Sequence, residues 1–249
     1  TLYELDVSQA RCTPSVRPKN SSVMPVGCSR WMRDGFINAT ESRLLIGAMD
    51  RAMRGLFHQG AQTSIAPEAG GVRKQLGEDG YRIFWDVIRR VRTTIEYDHA
   101  AGPLYIAGSL MTRIWADERV PRDGMDVDPK HAYWNPHVDK ANRASYDFSA
   151  LLYLNSHCKS SPSDRSVDGC NYGNHEQPDF AGGEFVWLDE ERDVAVEPLA
   201  GRLIHFTGGL ENLHQPRRVT AGTRYVIGMW FTCRADMEYQ EFEPPIERN

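Results

Sequence analysis

Apolar residues recur every three or four positions in two stretches of the first hundred residues. One stretch starts at Glu41, and the other follows Gly80 and runs to about Tyr97. This spacing is typical of amphipathic helices, and the Gly- and Pro-containing stretch 60–78 between them is predicted to be a loop. The apolar positions are Leu44, Leu45, Ala48, Met49, Met53, Leu56 and Phe57 in the first stretch, and Tyr81, Phe84, Val87, Ile88, Val91 and Ile95 in the second.

Short apolar runs dominate the chain after Gly102-Pro103, with Gly, Pro, Asn or Asp clusters between them. This pattern is typical of a β barrel or jelly roll. We therefore predict a mainly β fold with flanking α-helices: an extended N-terminal arm (1–41), then one domain (42–249) with a helical buttress (42–98) and a jelly-roll core (104–234). The predicted strands lie at 104–115, 148–154, 184–188, 194–196, 202–206 and 224–232.

Composition and charge exclude some classes of partner. The 249 residues are 41% hydrophobic and 25% charged, as in ordinary globular proteins. A net charge of -5 argues against binding to nucleic acid or an anionic membrane, because phosphate groups call for a basic surface. No uncharged apolar run reaches the roughly 18 residues of a membrane span. We therefore expect any membrane attachment to run through a segment ahead of Thr1.

Cysteines and glycosylation sequons indicate the compartment. Two local cysteine pairs predict two disulfides, whereas the absence of a C-x2-C pair or a Cys/His quartet disfavours zinc. N-x-[ST] sequons at Asn20 and Asn38 agree with an oxidising compartment. We expect a protein of the secretory pathway lumen, in the endoplasmic reticulum or Golgi. The pairs are Cys12 with Cys28 and Cys158 with Cys170, and the fifth cysteine is Cys233.

Three residues form a candidate metal site. His137 and Asp139 stand two positions apart, so on extended backbone their side chains face the same way. His214 follows after several predicted strands, and distant strands can meet in a closed sheet. Two imidazoles and one carboxylate are the ligands of a facial Fe(II) triad. A His-x-Asp pair also arises by chance in a chain of this composition, so the assignment needs context.

Two predicted strands supply that context. Arg224, Gly228 and Trp230 share one face of the last strand, where an inward guanidinium needs an anionic partner and the glycine leaves room for a small ligand. On strand 148–154, Leu151 and Tyr153 share a face and offer an apolar wall and a phenol. Together these residues predict a ligand pocket.

In these motifs, residues 104–234 resemble the prolyl 4-hydroxylase-like branch of the Fe(II)/2-oxoglutarate dioxygenases. The resemblance rests on the H-x-D pair, the distal His and the basic residue ten positions further on. It also rests on the order of four other segments: Asp147–Leu154, Gly182–Phe185, Glu197–Arg202 and Gly222–Tyr225.

The resemblance implies a double-stranded β-helix in which His137, Asp139 and His214 hold Fe(II). Arg224 is expected to bind the distal carboxylate of 2-oxoglutarate, with Tyr153 and Leu151 beside it. The implied reaction uses O2, with ascorbate as reductant, and hydroxylates a C–H bond while 2-oxoglutarate is decarboxylated to succinate. A polypeptide substrate, with proline as the first candidate residue, follows from the branch.

Two departures from the branch leave questions open. Trp134 stands where many prolyl hydroxylases carry tyrosine, so no role is transferred to it. The stretch 156–182 is longer than usual and is either a lid over a substrate groove or a loop on the outer rim.

The alternatives to a prolyl hydroxylase are an enzyme that oxidises another side chain, a cupin-like metal enzyme without 2-oxoglutarate, and a non-catalytic jelly-roll binding module. His205 is interpreted as a structural strand histidine.

Overall fold

Two antiparallel β sheets form the core of the computed structural model, which describes residues 29–54, 62–65, 72–116, 133–158, 180–239 and 245. The larger sheet has the order β1-β8-β4-β10-β3-β2, with β5 beside the start of β10, and the smaller has the order β7-β6-β9. The strands are β1 Trp31–Arg33, β2 Gln62–Ile65, β3 Tyr105–Trp115, β4 Phe148–Tyr153, β5 Phe180–Gly182, β6 Phe185–Trp187, β7 Val194–Val196, β8 Leu203–Thr207, β9 His214–Pro216 and β10 Val219–Thr232.

In the described residues three α-helices accompany the sheets: α1 Ala39–Ala52, α2 Val72–Asp98 and the short α3 Asp139–Asn142. α1 begins at a capping box, because the Asn38 side chain accepts from the Glu41 backbone while the Glu41 carboxylate accepts from the Asn38 N–H. α2 is interrupted at Gly77, which has a φ of 72°. Among the described helices, none is both long and apolar enough to cross a membrane.

The helices and the smaller sheet cover opposite faces of the larger sheet. α1 and α2 pack on one face around fully buried residues such as Leu45, Phe84 and Ile227. On the other face, Tyr153 and Val226 pack with Phe185 of the smaller sheet in a second cluster. Each fully buried aliphatic or aromatic side chain stabilises the fold by about 1.5–3 kcal/mol. The predicted mainly β jelly roll with flanking helices is confirmed.

The structure differs from the sequence prediction in short elements. The stretch 60–78 was predicted as a loop, but it contains β2 and the first residues of α2. The predicted arm 1–41 ends in β1, which pairs with β8 at the edge of the larger sheet, and in the cap of α1. Short strands with mixed polarity, such as QTSI in β2, lack the alternation that identifies longer ones.

The cysteine pattern also differs in part. Cys158 and Cys233 are both disulfide-bonded. Two local pairs would leave Cys233 without a partner, so the local pairing of Cys12 with Cys28 and Cys158 with Cys170 does not account for every bonded cysteine. Residues 1–28 and 159–179, which contain the other three cysteines and most of the 156–182 stretch, lie outside the described residues.

A buried polar network joins the end of α2 to β8. Asp98 accepts from His205 at 3.1 Å and from Arg33, and the second ring nitrogen of His205 lies 3.1 Å from His99. Burial lowers the pKa of His205 despite the Asp98 carboxylate. Burial opposes ionisation of Asp98, but hydrogen bonds from His205 and Arg33 hold its pKa below the ordinary value. His205 therefore has the structural role that the sequence suggested.

This network is expected to make stability depend on pH. An unfolded histidine takes up a proton below about pH 6.5. Because burial lowers the pKa of folded His205, the folded chain takes up this proton only at a lower pH, so acidification favours the unfolded chain. His205 should lower the free energy of unfolding by up to about 1.4 kcal/mol for each pH unit below that point. His205→Gln retains a donor toward Asp98 but does not titrate, so it should remove this pH dependence. Urea denaturation of both proteins from about pH 5 to about pH 7.5 measures the difference, and equal pH slopes would contradict the assignment.

Candidate metal centre and ligand cavity

His137, Asp139 and His214 meet where two chain segments pair. The backbone N–H of His137 donates to the carbonyl of His214 at 2.8 Å, and the His214 N–H returns the bond to His137 at 3.0 Å. Asp139 begins α3 two residues later. The Nε2 atoms of His137 and His214 lie 3.7 and 3.8 Å from the two Asp139 carboxylate oxygens. The three predicted ligands thus converge within 4.8 Å of one another.

Backbone carbonyls orient both imidazoles. Nδ1 of His137 lies 2.9 Å from the Asn135 carbonyl oxygen, and Nδ1 of His214 lies 2.8 Å from that of Asn212. A carbonyl can only accept, so each Nδ1 carries the proton and each Nε2 keeps a free lone pair. Burial lowers the pKa of His214 to about 4, which keeps this imidazole neutral near pH 7.

The three side chains fit a divalent transition metal. Two neutral nitrogen donors and one carboxylate form the facial set that non-haem Fe(II) takes, and the remaining coordination positions need open space. All three residues line one cavity, of about 160 Å³, which provides that space. Asp139 is buried with no cationic side chain among its described polar contacts, so a metal ion would compensate its charge.

Both sheets and the segment before α3 line this cavity. Arg224 stands near one end of the cavity-facing positions of β10 and Trp230 near the other. Between them, Gly228 pairs with Leu151 of β4, and a Cβ at Gly228 would lie 3.3 Å from Trp230. The lining residues are Gln62, Leu110, Thr112, Ile114, Tyr133, His137, Asp139, Ser149, Leu151, Phe185, Phe206, His214, Pro216, Arg224, Val226, Gly228 and Trp230.

Arg224 is a buried cation without a carboxylate partner among the described residues. Arg224 is only 2% exposed, and its Nε–H finds no hydrogen-bond acceptor in the part of the chain that the structure describes. Gly183, at a φ of 72°, allows a close approach, since a Cβ there would lie 3.2 Å from Cδ of Arg224. An uncompensated buried guanidinium costs several kcal/mol. This cavity end is therefore suited to a carboxylate ligand.

Tyr153 lies beneath Arg224 instead of on the cavity wall. Its ring centre is 5.4 Å from the Arg224 guanidinium carbon, a cation–π distance, and it is not among the lining residues. Burial raises the pKa of the Tyr153 phenol. Tyr153 therefore supports Arg224, and its contact with a ligand stays a prediction, whereas Leu151 lines the cavity.

Tyr133 is a cavity residue to which no sequence motif assigned a role. Its hydroxyl oxygen accepts from the Val219 N–H at 2.8 Å, so its proton stays available for a ligand. Burial raises the pKa of this phenol, although Arg224 and Arg218 act in the opposite direction. Trp134 instead packs against the Arg218 guanidinium at 4.8 Å and does not line the cavity. The only signal in the sequence was a tyrosine one position from the expected place.

Comparisons with known proteins agree with this geometry. Residues 127–232 match the 2OG-Fe(II) oxygenase superfamily. The chain is 32% identical over 238 residues to 2-oxoglutarate and iron-dependent oxygenase domain-containing protein 3 of Mus musculus. This alignment covers 90% of this chain and 66% of that relative's length. Over 178 residues it is 26% identical to prolyl 3-hydroxylase 2 of Gallus gallus, covering 65% of this chain and 22% of the relative.

A solved structure shares the fold. A prolyl-4-hydroxylase from Pseudomonas putida superposes with a TM-score of 0.51 at 18% identity, covering 84% of this chain and 95% of that one. The family expectation drawn from the H-x-D pair, the distal histidine and the ordered segments is confirmed by the sequence matches. The chain therefore carries a domain of the 2OG-Fe(II) oxygenase superfamily.

Proposed function

We propose that this protein is an Fe(II)- and 2-oxoglutarate-dependent dioxygenase that hydroxylates a peptidyl residue, with proline as the first candidate. The observation that carries the proposal is Arg224, a buried guanidinium with no carboxylate partner in the described chain, on the same cavity as the His137, Asp139 and His214 side chains. A metal site and an anion site on one small cavity match a cofactor pair of metal and dicarboxylate.

The chain's own residues bind and orient the reactants. When bound, the iron and 2-oxoglutarate supply the oxidising chemistry, in which decarboxylation to succinate with O2 accompanies insertion of one oxygen atom into a C–H bond. His137, Asp139 and His214 would hold the metal, and Arg224 would bind the distal carboxylate with Tyr133 as a second donor. Leu151, Phe185 and Val226 keep the walls apolar, which excludes water and strengthens these polar contacts.

An aromatic pair supports a prolyl substrate. Trp230 lines the cavity beyond Gly228 and stacks on Tyr146 with ring centres 4.8 Å apart and planes 9° apart. A rigid aromatic face suits an apolar ring such as that of proline. The names of two similar proteins, prolyl 3-hydroxylase 2 and a prolyl-4-hydroxylase, agree with this substrate class.

Succinate formation tests the proposal. Purified protein with Fe(II), ascorbate and 2-oxoglutarate should form succinate faster with a prolyl peptide than with the matched alanyl peptide, and the prolyl peptide should gain the mass of one oxygen atom. Trp230→Ala should raise the KM for the peptide at least about tenfold, because an aromatic wall of the cavity is lost. If Mn(II) supports no 2-oxoglutarate binding and no peptide yields succinate, the domain is a binding module and the proposal fails.

We also propose that the domain works in the lumen of the secretory pathway. Bonded Cys158 and Cys233 favour an oxidising compartment. The Asn38 sequon side chain is exposed; its oxygen caps α1, and its amide nitrogen is available for a glycan. A shift in mass after glycosidase treatment of protein expressed in animal cells would support this compartment, and its absence together with free thiols would contradict it.

A further inference from the structure

Arg30, just ahead of β1, reaches the segment that carries the candidate metal ligand His214. Its residue is 2% exposed. Nε donates to the Asn212 side-chain oxygen at 2.6 Å, and the two Nη atoms donate to the Asp189 carboxylate at 2.6 Å each. One Nη also donates to the Glu211 carbonyl at 3.1 Å. The guanidinium therefore holds two loops, after β6 and before β9, against β1.

Asn212 connects this contact to the metal centre. It is 1% exposed, and its amide nitrogen donates to the backbone and side-chain oxygens of Thr207 at 2.9 Å. Its own carbonyl oxygen is the acceptor for Nδ1 of His214. The side chain of Asn212 is thus fixed from both sides, by Thr207 and by Arg30, and its backbone carbonyl fixes the His214 ring.

Packing adds to these hydrogen bonds. The Arg30 guanidinium carbon lies 4.7 Å from the ring centre of Trp187, which pairs with His214 across β6 and β9. Phe185 and Phe206 flank the His214 ring at 4.9 and 5.1 Å between centroids. These rings restrict where the imidazole can lie, but they offer no acceptor for Nδ1. The rotation of the His214 ring about its Cβ–Cγ bond therefore depends on the Asn212 carbonyl.

We propose that Arg30 is a positioning residue for His214, acting through Asn212 to set the tautomer and direction of this ligand, an inference that rests on the proposed metal site. Partners of a ligating histidine typically contribute 10- to 100-fold to metal affinity. The segment ahead of β1 is therefore part of the metal centre in function, although it supplies no ligand. His137 does not depend on it, because its Nδ1 bonds the Asn135 carbonyl.

Arg30→Lys and Arg202→Lys are matched variants for the test. Arg202 also forms a bidentate pair with an aspartate, Asp34, at 2.6 and 2.9 Å, and donates to the Glu197 carbonyl at 2.7 Å. None of these described hydrogen bonds reaches a loop of the metal centre. Each lysine keeps the positive charge but cannot form the bidentate hydrogen bonds of the guanidinium. Mn(II) affinity, measured by titration calorimetry, should fall about 10- to 100-fold for Arg30→Lys and stay within about twofold for Arg202→Lys.

The NMR spectrum of Co(II)-substituted protein separates an effect on His214 from general destabilisation. The parent should show two paramagnetically shifted, solvent-exchangeable imidazole N–H signals, one from each histidine. Arg30→Lys should broaden or shift the His214 signal and leave the His137 signal in place, with Asn212→Ala acting in the same way. Unchanged His214 signal and Mn(II) affinity in Arg30→Lys would overturn the inference. A parent that binds neither metal would instead overturn the proposed function.

Discussion

Asp139→Asn should reduce succinate formation at least about 100-fold and abolish tight binding of Mn(II). Changes in residues that only support a ligand already cost 10- to 100-fold, and this change removes the single anionic ligand of the proposed set. The amide has the same shape as the carboxylate, so a packing defect does not explain a loss. Calorimetry with Mn(II) and a succinate assay measure both effects.

The matched control is Asp98→Asn, at another buried aspartate that faces a histidine. Asp98 bonds His205 and Arg33 on the helical side of the larger sheet, so this variant should lose stability but keep Mn(II) binding. Asp139 accepts no such bonds from the residues that the structure describes, and its neutralisation should leave the melting temperature unchanged or higher in the absence of metal. Full turnover by Asp139→Asn would show that the site is assigned wrongly.

Arg224→Met should raise the KM for 2-oxoglutarate at least about 100-fold. Truncating one partner of a buried, hydrogen-bonded charge pair costs about 2–5 kcal/mol, and 2.8 kcal/mol corresponds to about 100-fold. Steady-state kinetics over a wide range of 2-oxoglutarate concentrations measure the change. Arg113→Met is the matched control, because Arg113 lies one position along β3 from the partner of Arg224 and pairs with Asp50 on the helical side.

Stability gives an independent check on Arg224. Without ligand its charge is buried and has no carboxylate partner among the described residues, so Arg224→Met should melt at a temperature equal to or above that of the parent. Added 2-oxoglutarate with Mn(II) should raise the melting temperature of the parent and not of the variant. A destabilised variant with an unchanged KM would mean that Arg224 has a structural partner and no ligand role.

The long elements and the metal ligands could be predicted from sequence because their signals are strong. The stripe from Tyr81 to Ile95 repeats over four turns, and β3, β4 and β10 are long enough to show strand character. The H-x-D pair gained weight from Arg224, ten residues beyond the distal histidine. In the structure, His137, Asp139, His214 and Arg224 all line one cavity.

Other features depend on tertiary contacts that no local pattern encodes. β9 has three residues, and its pairing with β6 is what brings His214 opposite His137. Tyr133 enters the cavity because its hydroxyl bonds Val219 at the start of β10. Arg30 had no visible role because its partners are more than 150 positions away. The contact of Tyr153 with the Arg224 guanidinium joins two strands and is likewise not visible in a local pattern.

The alternation along β10 has a consequence for protein engineering. Tyr225, Ile227, Met229 and Phe231 point into the helical core, whereas Arg224, Val226, Gly228 and Trp230 line the cavity. Odd-numbered positions should therefore tolerate only volume-conserving changes, and even-numbered positions offer the route to altered substrate range. Inserting or deleting one residue in this strand would exchange the two sets, so redesigned loops at either end must preserve its length.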